Sequence, residues 1–326
     1  MTQGIGDITV RVQRLLDRPI IDASTHPSIG TNIQGPSLIR APDWLEAALG
    51  RYYLYFADHK GGYIRLAFAD GLEGPWRVYA PGSLRLEASH FLTAPPEVPP
   101  AMHARLAATR TPRMDPLREA TIPHIASPDV HVDDAARSVV MYFHGLEGPA
   151  HQVSRVATSR DGIRFEARPE ILGRSYMRVF RHRGMTYAMA MPGRFYRSTD
   201  GFTGFEEGPL LFNADMRHAG LLKRGEALYV FWTQVGDAPE RILLSIVNLA
   251  EHWTRWRETE AREVLRPERD WEGTRAPVEP SVRGPVAGRV NQLRDPAIYV
   301  EGDRVFLLYA IAGESGIAIA EIFFGS

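Results

Sequence analysis

Residues 51–76 read RYYLYFADHKGGYIRLAFADGLEGPW, and this stretch decides the fold. Its first run, 51–58, is aromatic or apolar at most positions. A short polar turn leads into a second extended run, 63–69, which closes on LEGPW at 72–76. An extended run at 36–42 precedes both. The same unit returns four times: 129–133, 139–144 and 153–159, closing RDGIRFE; 177–182, 185–191 and 195–199, closing DGFTGFE; 218–223, 227–234 and 242–247, closing HWTRW; and 295–301, 304–310 and 316–322. Recurring units of short strands joined by tight turns predict propeller blades. The expected fold is therefore all-β, a five-bladed β-propeller in a single domain over 1–326. Runs such as 52–56 (YYLYF) and 305–309 (VFLLY) show no polar alternation, as expected of strands covered on both faces.

The fifth unit runs out after its third strand. The N-terminal stretch 8–21, ITVRVQRLLDRPII, is expected to supply the fourth. It resembles the outer stretch 262–271, REVLRPERDW, and its pairing would protect an open sheet edge. Two segments stand outside the repeat. Residues 43–49, DWLEAAL, predict one or two helical turns. Residues 91–121 are rich in Pro, Met, Ala and Arg, and the prolines argue against a regular helix. The apolar residues Phe91, Leu92, Met102, Leu106, Met114 and Leu117 would be costly to leave in water, so the insertion predicts a lid over a pocket or a contact in a homo-oligomer.

Composition narrows the function. With 44% hydrophobic and 24% charged residues the chain is ordinary for a globular domain, and its formal net charge of -1 gives no field for nucleic acid or anionic lipid. Cysteine is absent, which excludes disulfides, thiolate catalysis and cysteine-bound zinc. No apolar stretch approaches the roughly 20 residues of a membrane helix, and the start lacks a signal-peptide pattern, so a cytoplasmic protein is expected. Lys60 and Lys223 are the only lysines, a bias that reads as coding composition. Neither GxGxxG nor a P-loop occurs, and Ser37 and Ser175 lack neighbouring His–Asp partners.

In an up-and-down blade the start of the inner strand and the loop after the second strand share one mouth of the ring. That mouth is expected to gather Asn32, Gln34, His124, Arg217, His218, Gln292 and Arg294, with Asp129, Arg178 and Asp295 at strand starts and Asp58, His59, His144 and Glu314 in loops. The other end carries plain hairpins such as Glu301-Gly302-Asp303. A concave site with convergent polar groups is what a ligand pocket needs. Each candidate has a competing structural reading. Asp295 before Pro296 could be a strand-start cap, and Asp129 with His131 a buried pair. Asp58 could lie in a solvated loop and Glu314 in a plain turn. His124, His144 and His218 could hold an axial divalent cation, but none shows tight ligand spacing, and satisfied core histidines are the plainer reading.

The segments 35–40 and 51–76, the closing GPW and the five-unit plan resemble the five-bladed propeller glycoside hydrolases, families 43, 32, 62, 68, 117 and 130 among them. Arg294-Asp295-Pro296 resembles the Arg-Asp-Pro motif of family 32, whose Asp holds substrate hydroxyls and supports the transition state. The resemblance implies a glycosidase acting on a small glycoside or oligosaccharide. Asp295, Asp58, Asp129 and Glu314 would be its catalytic carboxylates. Asn32, Gln34, His59, His124, Arg178, Arg217, His218, Gln292 and Arg294 would contact substrate, and Tyr63, Tyr176 or Trp232 would give aromatic platforms. No cofactor is expected. Hydrolysis would need two carboxyl groups about 5–5.5 Å apart for retention or about 6.5–9.5 Å for inversion. One departure stands out: where these families open the first blade with Asp-Pro, this chain has Gly35-Pro36. Two alternatives therefore stay open, a non-catalytic sugar-binding propeller and a metal-assisted hydrolase or lyase using the histidines. Asp295, held ionised by Arg294, is expected to be the most sensitive acidic residue, with Glu314 or Asp58 as proton donor.

Overall fold

The computed structural model describes residues 9–108 and 115–325. Five antiparallel sheets surround one axis. The first blade comprises Gln34–Arg40, Tyr52–Ala57, Tyr63–Ala69 and Arg77–Arg85. The second is built on Ile125–Asp133, Ser138–Gly148 and His151–Ser159, with two short outer pieces. Arg178–His182, Met185–Ala190, Arg194–Ser198 and Glu206–Leu210 make the third. Met216–Arg224, Ala227–Gln234, Ile242–Asn248 and Arg262–Leu265 make the fourth. The fifth joins Arg294–Glu301, Arg304–Ala310 and Gly316–Gly325 to the N-terminal strand Thr9–Arg14, which pairs from Thr9 with Gly325 to Arg14 with Ala320. The ring thus closes through the N-terminal strand. Ile8 lies outside the described residues. Arg14 ties the closure to the fourth blade, donating to both oxygens of Glu272 at 2.8 Å.

The middle strands carry the core. Every residue of Tyr52–Ala57 is buried, as is all of Arg304–Ala310 except Arg304. Each such strand is sandwiched between neighbouring blades, so both faces are apolar; each large side chain withdrawn from water contributes roughly 1.5–3 kcal/mol.

The inner strands share a device that sets the axis. Four slip register near their starts: between Gln34 and Ser37, Ala126 and Asp129, Met216 and Ala219, and Arg294 and Ala297. In three of them the bulge holds a residue of positive φ followed by proline: Gly35 (63°), Ser127 (49°) and Asp295 (47°). Tyr176 (62°) takes the same backbone region at the mouth of the third blade. Proline offers no N–H to the ladder, which suits it to a bulge, and the bulge re-aims the preceding side chain.

Two local expectations are corrected. Residues 43–49 form turns rather than helix; so short a segment does not offset the cost of nucleation. The insertion does contain helix, at Pro100–Ala108 and Pro116–Thr121. Pro100 and Pro116 permit this because each opens a helix, where the missing N–H has no partner to lose, and Asp115 caps the second by accepting from the Leu117 N–H at 3.1 Å. Met114 lies outside the described residues.

Candidate active site

The bulges place Gly35, Ser127, His218 and Asp295, and a positive-φ residue places Tyr176, at the mouth-side starts of the inner strands. His218 Nδ1 lies 2.8 Å from Asp295 Oδ1, and the two side chains are 2% and 1% exposed. The approach is close enough for an ion pair but not aligned as a hydrogen bond, so both Asp295 oxygens are buried without an aligned donor. Buried polar atoms are nearly always bonded, and an exception in a strained bulge marks a place to look for function. The Tyr176 ring is 4.8 Å from His218 on one side and 4.1 Å from His144 on the other, and His124 lies 6.1 Å beyond His144. The histidines therefore form a column interrupted by a tyrosine, not a ligand shell. Among the described residues no group of three or more His, Asp or Glu side chains is placed to hold a metal ion.

Burial governs the charges in this column. It pushes the His218 imidazole below its ordinary value, although Asp295 opposes the shift. His144 falls well below that value, and His124 falls to about 3, both through desolvation first. Burial alone would raise the Asp295 carboxyl. His218 outweighs it, with Arg217 assisting, and the net direction is down. Asp295 is thus ionised; His218 is the larger cause, and the expected partner Arg294 also feels its charge.

Arg294 belongs to a second, fully buried tier. It meets Glu240 at 3.2 Å and Glu314 at 2.9 Å and donates to Gln292 Oε1 at 2.6 Å. Glu240 also meets Arg217 at 3.3 Å. Glu314 contacts His59 at 3.1 Å and accepts from Asn32 Nδ2 at 2.6 Å. Against the push of burial, His59, Arg294 and Asn32 hold the Glu314 carboxyl far below the carboxylate range. That geometry makes Glu314 a structural anion, not the proton donor expected from its loop position.

Above the column opens a cavity of about 870 Å³. Its wall includes His59, Lys60, Tyr176, Arg217 and His218 from the blade mouths and Leu106, Pro116, Glu119 and Ala120 from the insertion, which covers the mouth. Of the candidate residues, His59, Arg217 and His218 face this space; Asp295, Glu314, Asn32, Gln292 and Arg294 support them from below. Gln34 is buried beside Ser127, whose hydroxyl lies 3.5 Å from its Oε1. His124 is fully buried in the column.

Three carboxylate and arginine expectations place differently. Asp129 and Arg178 line a separate cavity of about 560 Å³ at the other end of the axis, with Ser37, Gly220 and Ala297. The reason is the frame set by the prolines: Ser127-Pro128 occupies the place of Asp295-Pro296, so Asp129 stands two residues farther down its strand. Asp58 closes its own turn, accepting from the Lys60 N–H at 2.9 Å and facing Arg65 at 3.5 Å. Tyr63 donates to the Ser28 carbonyl, and Trp232 is buried in the fourth blade beside Ser245, so of the three aromatic platforms only Tyr176 lines the cavity. Glu119 and Arg283 also line it. No periodicity pointed to either. The pre-proline frame, by contrast, was available for sorting Asp295 from Asp129.

This architecture is shared with solved family-43 glycoside hydrolases. A thermostable member aligns over 90% of this chain and 89% of its own with a TM-score of 0.55 and 12% identity. An enzyme from Xanthomonas citri gives 0.55 and 12% over 94% and 90%. A β-xylosidase/α-arabinofuranosidase from a compost microbial metagenome, solved with xylotriose, gives 0.56 and 12% over 97% and 95%. At these identities the likeness is one of fold. No protein-family profile matches the chain. An uncharacterized protein of Acanthamoeba polyphaga mimivirus, R118, is 37% identical over 317 residues, 89% of this chain and 83% of that protein. The chain belongs to the family of that viral protein. No helix of the described residues is long and apolar enough to cross a membrane.

Proposed function

We propose that this propeller is a carbohydrate-active enzyme of the glycoside hydrolase type, acting on a small glycoside or oligosaccharide held in the 870 Å³ cavity. One observation carries the reading: the His218–Asp295 pair at the cavity floor, a buried, ionised carboxylate in a positive-φ bulge 2.8 Å from an imidazole that lines the cavity. The axial carboxylate then acts through histidine. Burial keeps His218 neutral near pH 7, so it can take a proton from a water as that water adds to the anomeric carbon. Asp295 stabilises the imidazolium that forms. The bond from the anomeric carbon to the leaving oxygen breaks, and that oxygen takes a proton from solvent water. Arg294, Glu314 and Glu240 fix the floor.

A second reading, a sugar-binding propeller without turnover, has its own support. A Cβ on Gly35, at a φ of 63°, would stand 3.0 Å from Ser127 Cα, so an acidic residue at this place in the first blade would be crowded and strained. A screen of the wild-type protein against aryl glycosides and natural oligosaccharides tests both. Turnover that is lost in His218→Gln and Asp295→Asn upholds the enzyme; saturable binding with no turnover upholds the binder; neither overturns both.

A further inference from the structure

Lys60 is the charge in this site that the protein itself leaves unmatched. The chain has 38 basic side chains, Lys60 and Lys223 being its only lysines, so arginine serves nearly everywhere a cation is needed. Lys60 sits in a tight turn after Tyr52–Ala57. Its backbone N–H is held by Asp58, and a Cβ on the next residue, Gly61, would come within 2.8 Å of Asp58 Cβ. The neighbouring His59 turns to Glu314, while Lys60 lines the cavity. Among the described residues no carboxylate lies within ion-pair distance of Lys60, and none pairs with Arg174 on the cavity wall. Arg283 reaches Asp215 only at 3.8 Å. Against these cations the wall offers Glu119 and Glu207, and Glu207 is already engaged by Arg194 at 3.3 Å and Tyr196 at 3.2 Å. Burial lowers the Lys60 pKa, the direction expected of an ammonium withdrawn from water without a full counter-charge, although Glu119 and Glu314 oppose it.

We infer that the cavity takes a saccharide bearing an anionic substituent, a uronic acid residue in the first instance, and that Lys60 recognises that group with Arg174 and Arg283 on the facing wall. The inference rests on the carbohydrate reading above and names its substrate class. An anion entering this half-buried space supplies the missing counter-charge where solvent screens it least. The cavity is far larger than an isolated carboxylate or phosphate needs, which leaves room for the sugar rings.

The test compares acidic and neutral oligosaccharides of equal length, galacturonate and galactose trimers, by calorimetric titration of the full chain. The acidic trimer is expected to bind at least ~10-fold more tightly, the scale of one charge-assisted contact. Lys60→Met should bring that ratio close to one, and Lys60→Arg should keep part of it. An amine-reactive label read by mass spectrometry gives an arm that needs no variant: the acidic trimer should shield Lys60 and leave Lys223 unchanged. Equal binding of both trimers by wild type, or an undiminished ratio in folded Lys60→Met, overturns the inference while leaving a neutral-sugar enzyme standing. Shielding of Lys60 by inorganic phosphate as strong as that by the trimer also overturns it, since the site would then recognise a free anion. If no saccharide binds, the carbohydrate reading fails and this inference falls with it.

Discussion

The two ends of the propeller axis use the same residue types to opposite effect. At the lower end Asp129 is satisfied: His131 lies at 2.8 Å, the Val179 N–H donates to it at 2.7 Å, and Arg178 stands at 3.8 Å. Its low pKa, against the push of burial, comes from His131 and Arg178, and its geometry is that of a clasp between the second and third blades. At the upper end Asp295 sits in a positive-φ bulge, with its one close partner out of line. A carboxylate bonded to the backbone of the next blade stabilises a fold; one whose close partner is an imidazole on a cavity wall is placed to act through that ring. Charge and a neighbouring histidine alone do not separate the two, although Asp129 is 15% exposed and Asp295 1%.

Replacing each in turn gives the largest expected contrast. Asp295→Asn should lower turnover by ~100-fold or more, the scale of losing a preorganised electrostatic partner, in a protein that still folds. Asp129→Asn should change turnover by no more than about threefold while lowering unfolding free energy by about 1–3 kcal/mol. Steady-state kinetics and denaturant melts on both variants decide it; near-normal activity in folded Asp295→Asn would erase the distinction.

Acid should separate the ends next. The folded-state pKa values of His124, His144 and His218 are all lowered, to about 3 for His124. Below an unfolded value of about 6.5, the unfolded chain takes up protons that the folded chain refuses. The stabilisation is therefore complete above that pH and is lost as pH falls towards the folded values. Each histidine adds up to about 1.4 kcal/mol per pH unit in that window. Replacing His124 by Gln should flatten the stability profile between pH 6 and pH 4 by up to one proton. An unchanged slope would mean that the column titrates normally.

Smaller effects probe the walls. Gly35→Asp meets both a φ of 63° and the 3.0 Å approach of Ser127, so it should cost about 1–2 kcal/mol and add no activity. A gain in turnover would show that the axis accepts a first-blade acid after all. Leu106→Ala on the covering helix should raise KM by about two- to fivefold and move stability by no more than about 0.5 kcal/mol, as kinetics and a thermal melt would show.

Much of the fold was legible because a blade is a local object. Strand runs, their turns and the recurring closing segments lie within one stretch of chain, and the missing fourth strand of the last unit pointed to the N-terminus. The helices of the insertion were not legible, because prolines read as breakers unless their place at a helix start is known. For the site, the sequence identified Asp295, His218, His59 and Arg217 as mouth residues. It could not tell Asp129 from Asp295, or foresee that Arg294 turns from its neighbour Asp295 to Glu240 and Glu314.

The chain order by itself determined the five units, their strand polarity and the closure, since hydrophobic runs and turn residues act over a few positions. Only the tertiary structure decided which carboxylates face the cavity, support its floor or clasp the far end. Those roles depend on bulges that shift register by one residue and on partners contributed by other blades, and neither is a property of any single stretch of sequence.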